Sequence, residues 1–238
     1  MIYRETNQGS IPSFRQGAFE ARAPYLHDMG ADDIRYPTFF EKSIAILEKN
    51  PQIALSWSQF DWGENPLDNR EDCGFQGAHE VVFLEPEEAV TRILQGKLKL
   101  SAVSAVYRTE ISRKYGSYDP KLTYLADWFL MHRFLFEYPT AFIPEALCYF
   151  RVRGSNYSNV ARHNKKLRNS TYHHLLKKLK DTPDFKECCR KSALLAPLFH
   201  DLFWKMLFNP KYLNYWPYIA KRYPVKERIK RSLLKHFS

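Results

Sequence analysis

Glycine is scarce in this chain, 9 residues in 238, and no fixed short period recurs, which excludes collagen-like and glycine-rich linker classes. Cysteine is also sparse. Cys73, Cys148, Cys188 and Cys189 form no C-x-x-C pair and no repeated spacing, so neither a zinc ribbon nor a disulfide framework is supported, and a reducing compartment is the default. The opening Met-Ile-Tyr-Arg-Glu-Thr-Asn lacks the apolar core of a signal peptide. The most apolar later stretch, Leu194 to Phe208, is interrupted by Pro197, His200, Asp201 and Lys205, so no spanning helix is expected. What is present is an ordinary globular share of apolar residues, 45%, with aromatics raised to 16%. Such a chain can bury a substantial core.

The net charge of +10 is unevenly placed. Residues 1–155 carry 17 Lys and Arg against 21 Asp and Glu, net −4, whereas residues 156–238 carry 19 against 5, net +14. An acidic front is therefore joined to a basic tail. In the front, strand and helix patterns alternate: a short strand in Pro24 to Met29, a helix from Thr38 to Asn50-Pro51, a strand over Gln52 to Phe60, a polar irregular run over 61–80, a helix opened by Glu85-Pro86, and a strand over Ser101 to Tyr107. A turn at Tyr118-Asp119-Pro120 then precedes an apolar helix from Ala126 to Phe136 and a strand pair, Ala141 to Pro144 and Ala146 to Arg151. Alternation of this kind indicates an α/β layer architecture. Beyond Asn156 the strand signal stops, and Tyr172 to Lys180, Leu194 to Phe208 and the basic run from Val225 to Phe237 read as helices.

Three groups of residues can carry chemistry. Asp32 and Asp33 lie in a loop after a strand, where open α/β sheets bind ligands, and such a pair suits Mg2+ or Mn2+ carrying a diphosphate; one of them capping the next helix is the simpler alternative. Asp127, at the start of the apolar helix, is placed to act as a general base, or merely as a helix cap. Arg151 and Arg153, alternate residues of one strand, can hold phosphate or form a solvated strand end.

The ordered series Asn7-x-Gly9, Arg15-x-Gly17, Ala21-x-x-x-Tyr25-Leu26, Ala31-Asp32-Asp33, Pro37-x-Phe39-x-Glu41-Lys42 and Asn50-Pro51 resembles family 2 glycosyltransferases of the GT-A fold. The series continues with Ser104-x-Val106-Tyr107-Arg108, Gly116-x-Tyr118-Asp119, Ala126-Asp127-Trp128, Ile143-Pro144-Glu145-x-Leu147 and Tyr149-Phe150-Arg151. The resemblance implies a Rossmann-like α/β sheet over residues 1–158, lacking the N-terminal nucleotide-binding segment, followed by a basic, aromatic helical tail over 159–238. It implies an inverting hexosyltransferase moving a sugar from a nucleotide-diphosphate donor to a hydroxyl of a glycan or lipid-linked acceptor, as in surface polysaccharide synthesis. Under it Asp32, with Asp33, is the metal site for Mg2+ or Mn2+, Arg151 and Arg153 bind the donor diphosphate, Asp127 is the catalytic base, and Trp128 lines the acceptor pocket or packs in the core.

Two positions depart from the family pattern: Gly30 replaces the first Asp of Asp-x-Asp, and Arg153 stands where a His is usual. A second chain supplying the nucleotide-binding half, or a non-catalytic remnant acting as a scaffold, are the alternatives that the missing segment admits. The tail's Tyr212, Tyr215, Trp216, Tyr218 and Tyr223, interleaved with Lys211, Lys221 and Arg222, suit an anionic lipid interface, placing the protein in the cytoplasm at the inner membrane face. A helical subdomain packed on the front is the other reading of the tail. Its charge also meets the electrostatic requirement for nucleic acid, but no nucleic-acid module occurs and none is expected as partner.

Overall fold

A computed structural model describes residues 5–154, 157, 161 and 163–195. It shows an α/β architecture of the Rossmannoid kind, a curled mixed sheet with helices packed against it. The elements in order are α1 (Ser10–Glu20), β1 (Tyr25–Leu26), β2 (Ile34–Arg35), α2 (Phe39–Lys49), β3 (Leu55–Gly63), β4 (Asn69–Arg70) and β5 (Val82–Leu84). There follow α3 (Pro86–Leu94), β6 (Ala105–Arg108), α4 (Thr109–Lys114), α5 (Ala126–Glu137), β7 (Thr140–Arg151), α6 (Lys165–Asp181) and α7 (Pro183–Lys191). Two 3-10 turns, Ala102–Ser104 and Pro120–Leu125, precede β6 and α5.

The main sheet runs β1-β6-β3-β7-β2, with β4 added to β3 and β5 to β7. Among the described residues only β3 and β7 pair in parallel. β3 is buried along nearly its whole length, Ser56, Ser58 and Asp61 included, as a strand covered on both faces must be. It extends past the expected end at Phe60 to Gly63, because Asp61 and Trp62 pair with β4 and with Tyr149 and Phe150 of β7.

β7 is one strand where a pair was expected. The register passes from Ser58 opposite Ile143 to Gln59 opposite Ala146, so Pro144 and Glu145 form a bulge and the missing proline N–H breaks no ladder bond.

Each helix follows a local cause. α2 buries Phe39, Ser43 and Leu47 at fourfold spacing and carries Glu41 in its first turn and Lys49 in its last, as the helix dipole favours. α5 is apolar on almost every side, and Phe129, Leu130, Met131, Phe134, Leu135 and Phe136 are all buried, so it lies inside the molecule. Its neighbours are α3 and α7, with Phe185 of α7 meeting Phe129 edge-on at 4.9 Å. α1, α4, β5 and α7 were not among the sequence expectations. The stretches from Leu194 to Phe208 and from Val225 to Phe237 lie outside the described residues, Leu194 and Leu195 excepted.

Candidate functional site

The carboxyl ends of β1 and β7, the Tyr118–Tyr124 segment and the first turns of α1 and α5 enclose a cleft of about 450 Å3, within the range of ligand pockets. Asp28, Asp32, Asp33, Asp127 and Arg153 line it, together with Tyr118, Tyr124, Met29, Phe150 and Tyr157. Residues from five separate stretches thus meet at one place.

The Asp28–Asp33 loop is held by its own polar groups. Asp33, 9% exposed, accepts the Gly30 N–H through Oδ2 and the Arg151 N–H through Oδ1, both at 3.1 Å. Burial pushes its carboxyl above the usual range, and those two N–H groups pull the other way. Asp32 turns into the cleft, its Oδ2 3.9 Å from Arg153 Nε, and both side chains reach solvent, so this ion pair is weak. A Cβ at Gly30 would stand 3.0 Å from Asp33 Oδ2 and 3.1 Å from Asp32 Oδ1, so a side chain there would displace the two carboxylates.

At the loop's other end His27 is wedged between the Ala105 carbonyl, 2.7 Å from Nδ1, and Arg35, whose Nε donates to Nε2. Because the guanidinium always donates, Nε2 accepts and Nδ1 carries the proton. Burial lowers the His27 pKa to about 4, keeping the ring neutral at physiological pH.

Asp28 is a half-buried carboxylate bound by two phenols. Tyr118 donates to Oδ2 at 2.8 Å and Tyr107 donates to the same oxygen. Burial raises the Asp28 carboxyl even so. Asp127 faces the same cleft from the first turn of α5, its Oδ1 accepting the Trp128 N–H at 2.7 Å. It is the second helical residue rather than the cap, a position occupied by Leu125. Burial pushes its carboxyl up to about 6, the charge of Asp28 adds to the rise, and the N–H groups of Trp128 and of Asp127 itself oppose it. A carboxylate with a pKa near working pH is suited to take a proton from a hydroxyl.

Of the residues singled out from sequence, Asp32, Asp33, Asp127 and Arg153 come together in the cleft. Arg151 and Trp128 lie outside its lining. Arg151 contributes its backbone N–H to Asp33, and its guanidinium lies 6.0 Å from the Tyr149 ring. Trp128 packs at 4.7 Å against His132 and on the core.

Among the described residues no group of three or more His, Cys, Asp or Glu side chains converges as a metal cage. A hard divalent cation shared with a diphosphate needs only one or two protein carboxylates. Of the pair Asp32 and Asp33, both lining the cleft, Asp33 is committed to backbone N–H groups, so the residues present fit such a shared cation through Asp32, with Asp33 shaping the loop behind it.

Sequence reasoning did not single out the phenol pair on Asp28. Tyr107 and Tyr118 stand 79 and 90 residues from it, so no local spacing could signal the contact. No protein-family model matches the chain, and no curated protein matches it.

Proposed function

We propose that this protein is an inverting glycosyltransferase that moves a sugar from a nucleotide-diphosphate donor to an acceptor hydroxyl. The observation that carries this reading is the meeting of Asp32, Arg153 and Asp127, from three separate parts of the chain, in one cleft of ligand size. The Rossmannoid architecture is compatible with a nucleotide-binding enzyme.

Asp127 takes the proton from the acceptor hydroxyl as that oxygen attacks the anomeric carbon from the face opposite the diphosphate. Arg153 offers a guanidinium fork to the diphosphate. A Mg2+ or Mn2+ ion held between Asp32 and the diphosphate would offset the negative charge of the leaving group. Met29, Phe150 and Tyr157 supply apolar surface against which a sugar face can pack.

Calorimetric titration of the full chain with nucleoside diphosphates, with and without Mn2+, tests this. Donor binding is expected to fall at least tenfold in Asp32→Asn and in Arg153→Ala, about 1.4 kcal/mol each. Asp127→Asn is expected to keep binding and lose sugar transfer about a hundredfold or more. Absence of nucleotide binding by the folded wild-type chain overturns the reading and leaves the scaffold alternative.

An anionic membrane surface and a glycan or lipid-linked acceptor complete the proposal. The aromatic part of the tail lies outside the described residues, but α6 exposes Lys165, Lys166, Lys177 and Lys180 on its outer side, which suits anionic lipid. Flotation with phosphatidylglycerol vesicles is expected to retain the chain at low salt and release it at high salt, with phosphatidylcholine vesicles retaining little. Among the described residues no helix is long and apolar enough to cross a membrane.

A further inference from the structure

The segment that brings Tyr118, Tyr124 and Asp127 to the cleft is conformationally unusual. Ser117 has φ 55°, and Thr123 lies at φ 48°, ψ −123° inside the 3-10 turn, a region that a β-branched residue seldom enters. Such a backbone persists only where its surroundings over-determine it. The surroundings here are α1 on one side and α6 on the other.

From α1, Arg15 donates to the carbonyls of Gly116 and Tyr118, and Phe14 meets the Tyr118 ring edge-on at 5.9 Å. From α6, three residues on one helical face reach the turn. Thr171, fully buried, gives its hydroxyl proton to the Leu167 carbonyl, so at 2.7 Å it must accept the hydroxyl proton of Thr123. Lys178 Nζ and His174 Nε2 lie 2.8 and 2.9 Å from Asp119 Oδ2, while Asp119 Oδ1 accepts the Lys121 N–H that opens the turn.

We propose that α6 is a positioning element of the cleft: Thr171, His174 and Lys178 hold the Asp119–Leu125 turn in its strained form and thereby place Tyr118, Tyr124 and Asp127. A helix outside the region of family resemblance thus sets the geometry of the general base. The chemical meaning of that placement rests on the transferase reading; the coupling itself does not.

The test uses the full chain carrying Thr171→Val, which keeps the side chain's shape and loses the hydroxyl, with Thr171→Ser as the conservative rescue and Lys178→Met as a second break. Amide hydrogen exchange over residues 116–128 and the carbon-13 titration of the Asp127 carboxyl are followed without ligand. In Thr171→Val and Lys178→Met, exchange over this segment is expected to quicken roughly three- to tenfold more than exchange in β3 and β7. The Asp127 midpoint is expected to fall from about 6 toward 3.8 as water gains access, and Thr171→Ser is expected to restore both readings. Unchanged Asp127 titration in both breaking variants overturns the proposal, as does faster exchange spread evenly over the whole chain. Loss of folding in both, with Thr171→Ser folded, also overturns it, because α6 would then serve global stability. Nucleoside diphosphate calorimetry on the wild type stands apart: no binding there removes the transferase reading and leaves the α6 coupling to be judged on exchange and titration alone.

Discussion

Asp127 carries its carboxyl in the cleft at a cost in stability. Burial lifts its carboxyl from 3.8 to about 6, so between those values the folded protein holds a proton that the unfolded chain has released. Stability contributed at this site therefore falls as pH rises from about 4 to about 6 and stays lower above. Asp127→Asn removes the half-buried charge and keeps an oxygen for the Trp128 N–H. We expect it to stabilise the fold by about 1–2 kcal/mol at pH 7.5, after allowance for the residue's partial exposure, and to make no difference below about pH 4. Urea unfolding at the two pH values checks this. A gain in stability coupled to loss of the proposed transfer would mark a group kept for function. Asp28 belongs to the same account, since its carboxylate adds to the rise at Asp127 while Tyr107 and Tyr118 hold it in place.

α6 and the turn it grips supply the corresponding argument among elements. Burial alone would raise the Asp119 carboxyl, but Lys178, His174 and the Lys121 N–H together hold it at about 2. A depressed folded value means that the stabilisation is fully present above about pH 4 and is lost as pH falls through about 2. Lys178→Met is expected to cost about 1 kcal/mol at pH 7, with the gap to wild type narrowing below pH 4, as unfolding curves at pH 7 and pH 3 would show. The helix over Tyr172 to Lys180 was visible from its composition, yet nothing in that stretch indicates that Thr171 faces Thr123, because the partner lies 48 residues away. α2, α3 and α5 were legible for the opposite reason: their apolar spacing and their Pro51, Pro86 and acidic first-turn signals are local. The bulge at Pro144 was misread as a break between strands because proline ends most strands, and only the partner strand β3 shows that the pairing resumes two residues later.

Taken whole, the front and the described part of the tail share one core. Phe185, Leu175, Leu179 and Cys189 belong to the same buried cluster as Phe129, Phe136 and Ile93. Phe185, 1% exposed, touches Phe129 and Phe136 and lies beneath the Arg133 guanidinium. Phe185→Ala is expected to destabilise the molecule by about 3 kcal/mol or more, with circular dichroism and tryptophan fluorescence falling in one coincident transition. Two separated transitions would mean that α6 and α7 fold independently of the sheet. The α/β class, the positions of the principal helices and the central strands, the acidic front with its basic tail, and Asp32, Asp127 and Arg153 as chemical candidates were all determined by the sequence itself, because each rests on nearest-neighbour pattern or on composition. The convergence of those residues on one cleft, the commitment of Asp33 to its own loop, the placing of Arg151 and Trp128 outside the lining, and the grip of Asp28 and Asp119 by distant partners were decided by tertiary structure alone. Burial and hydrogen bonding between segments set what each carboxylate can do, and neither exists until the chain has folded.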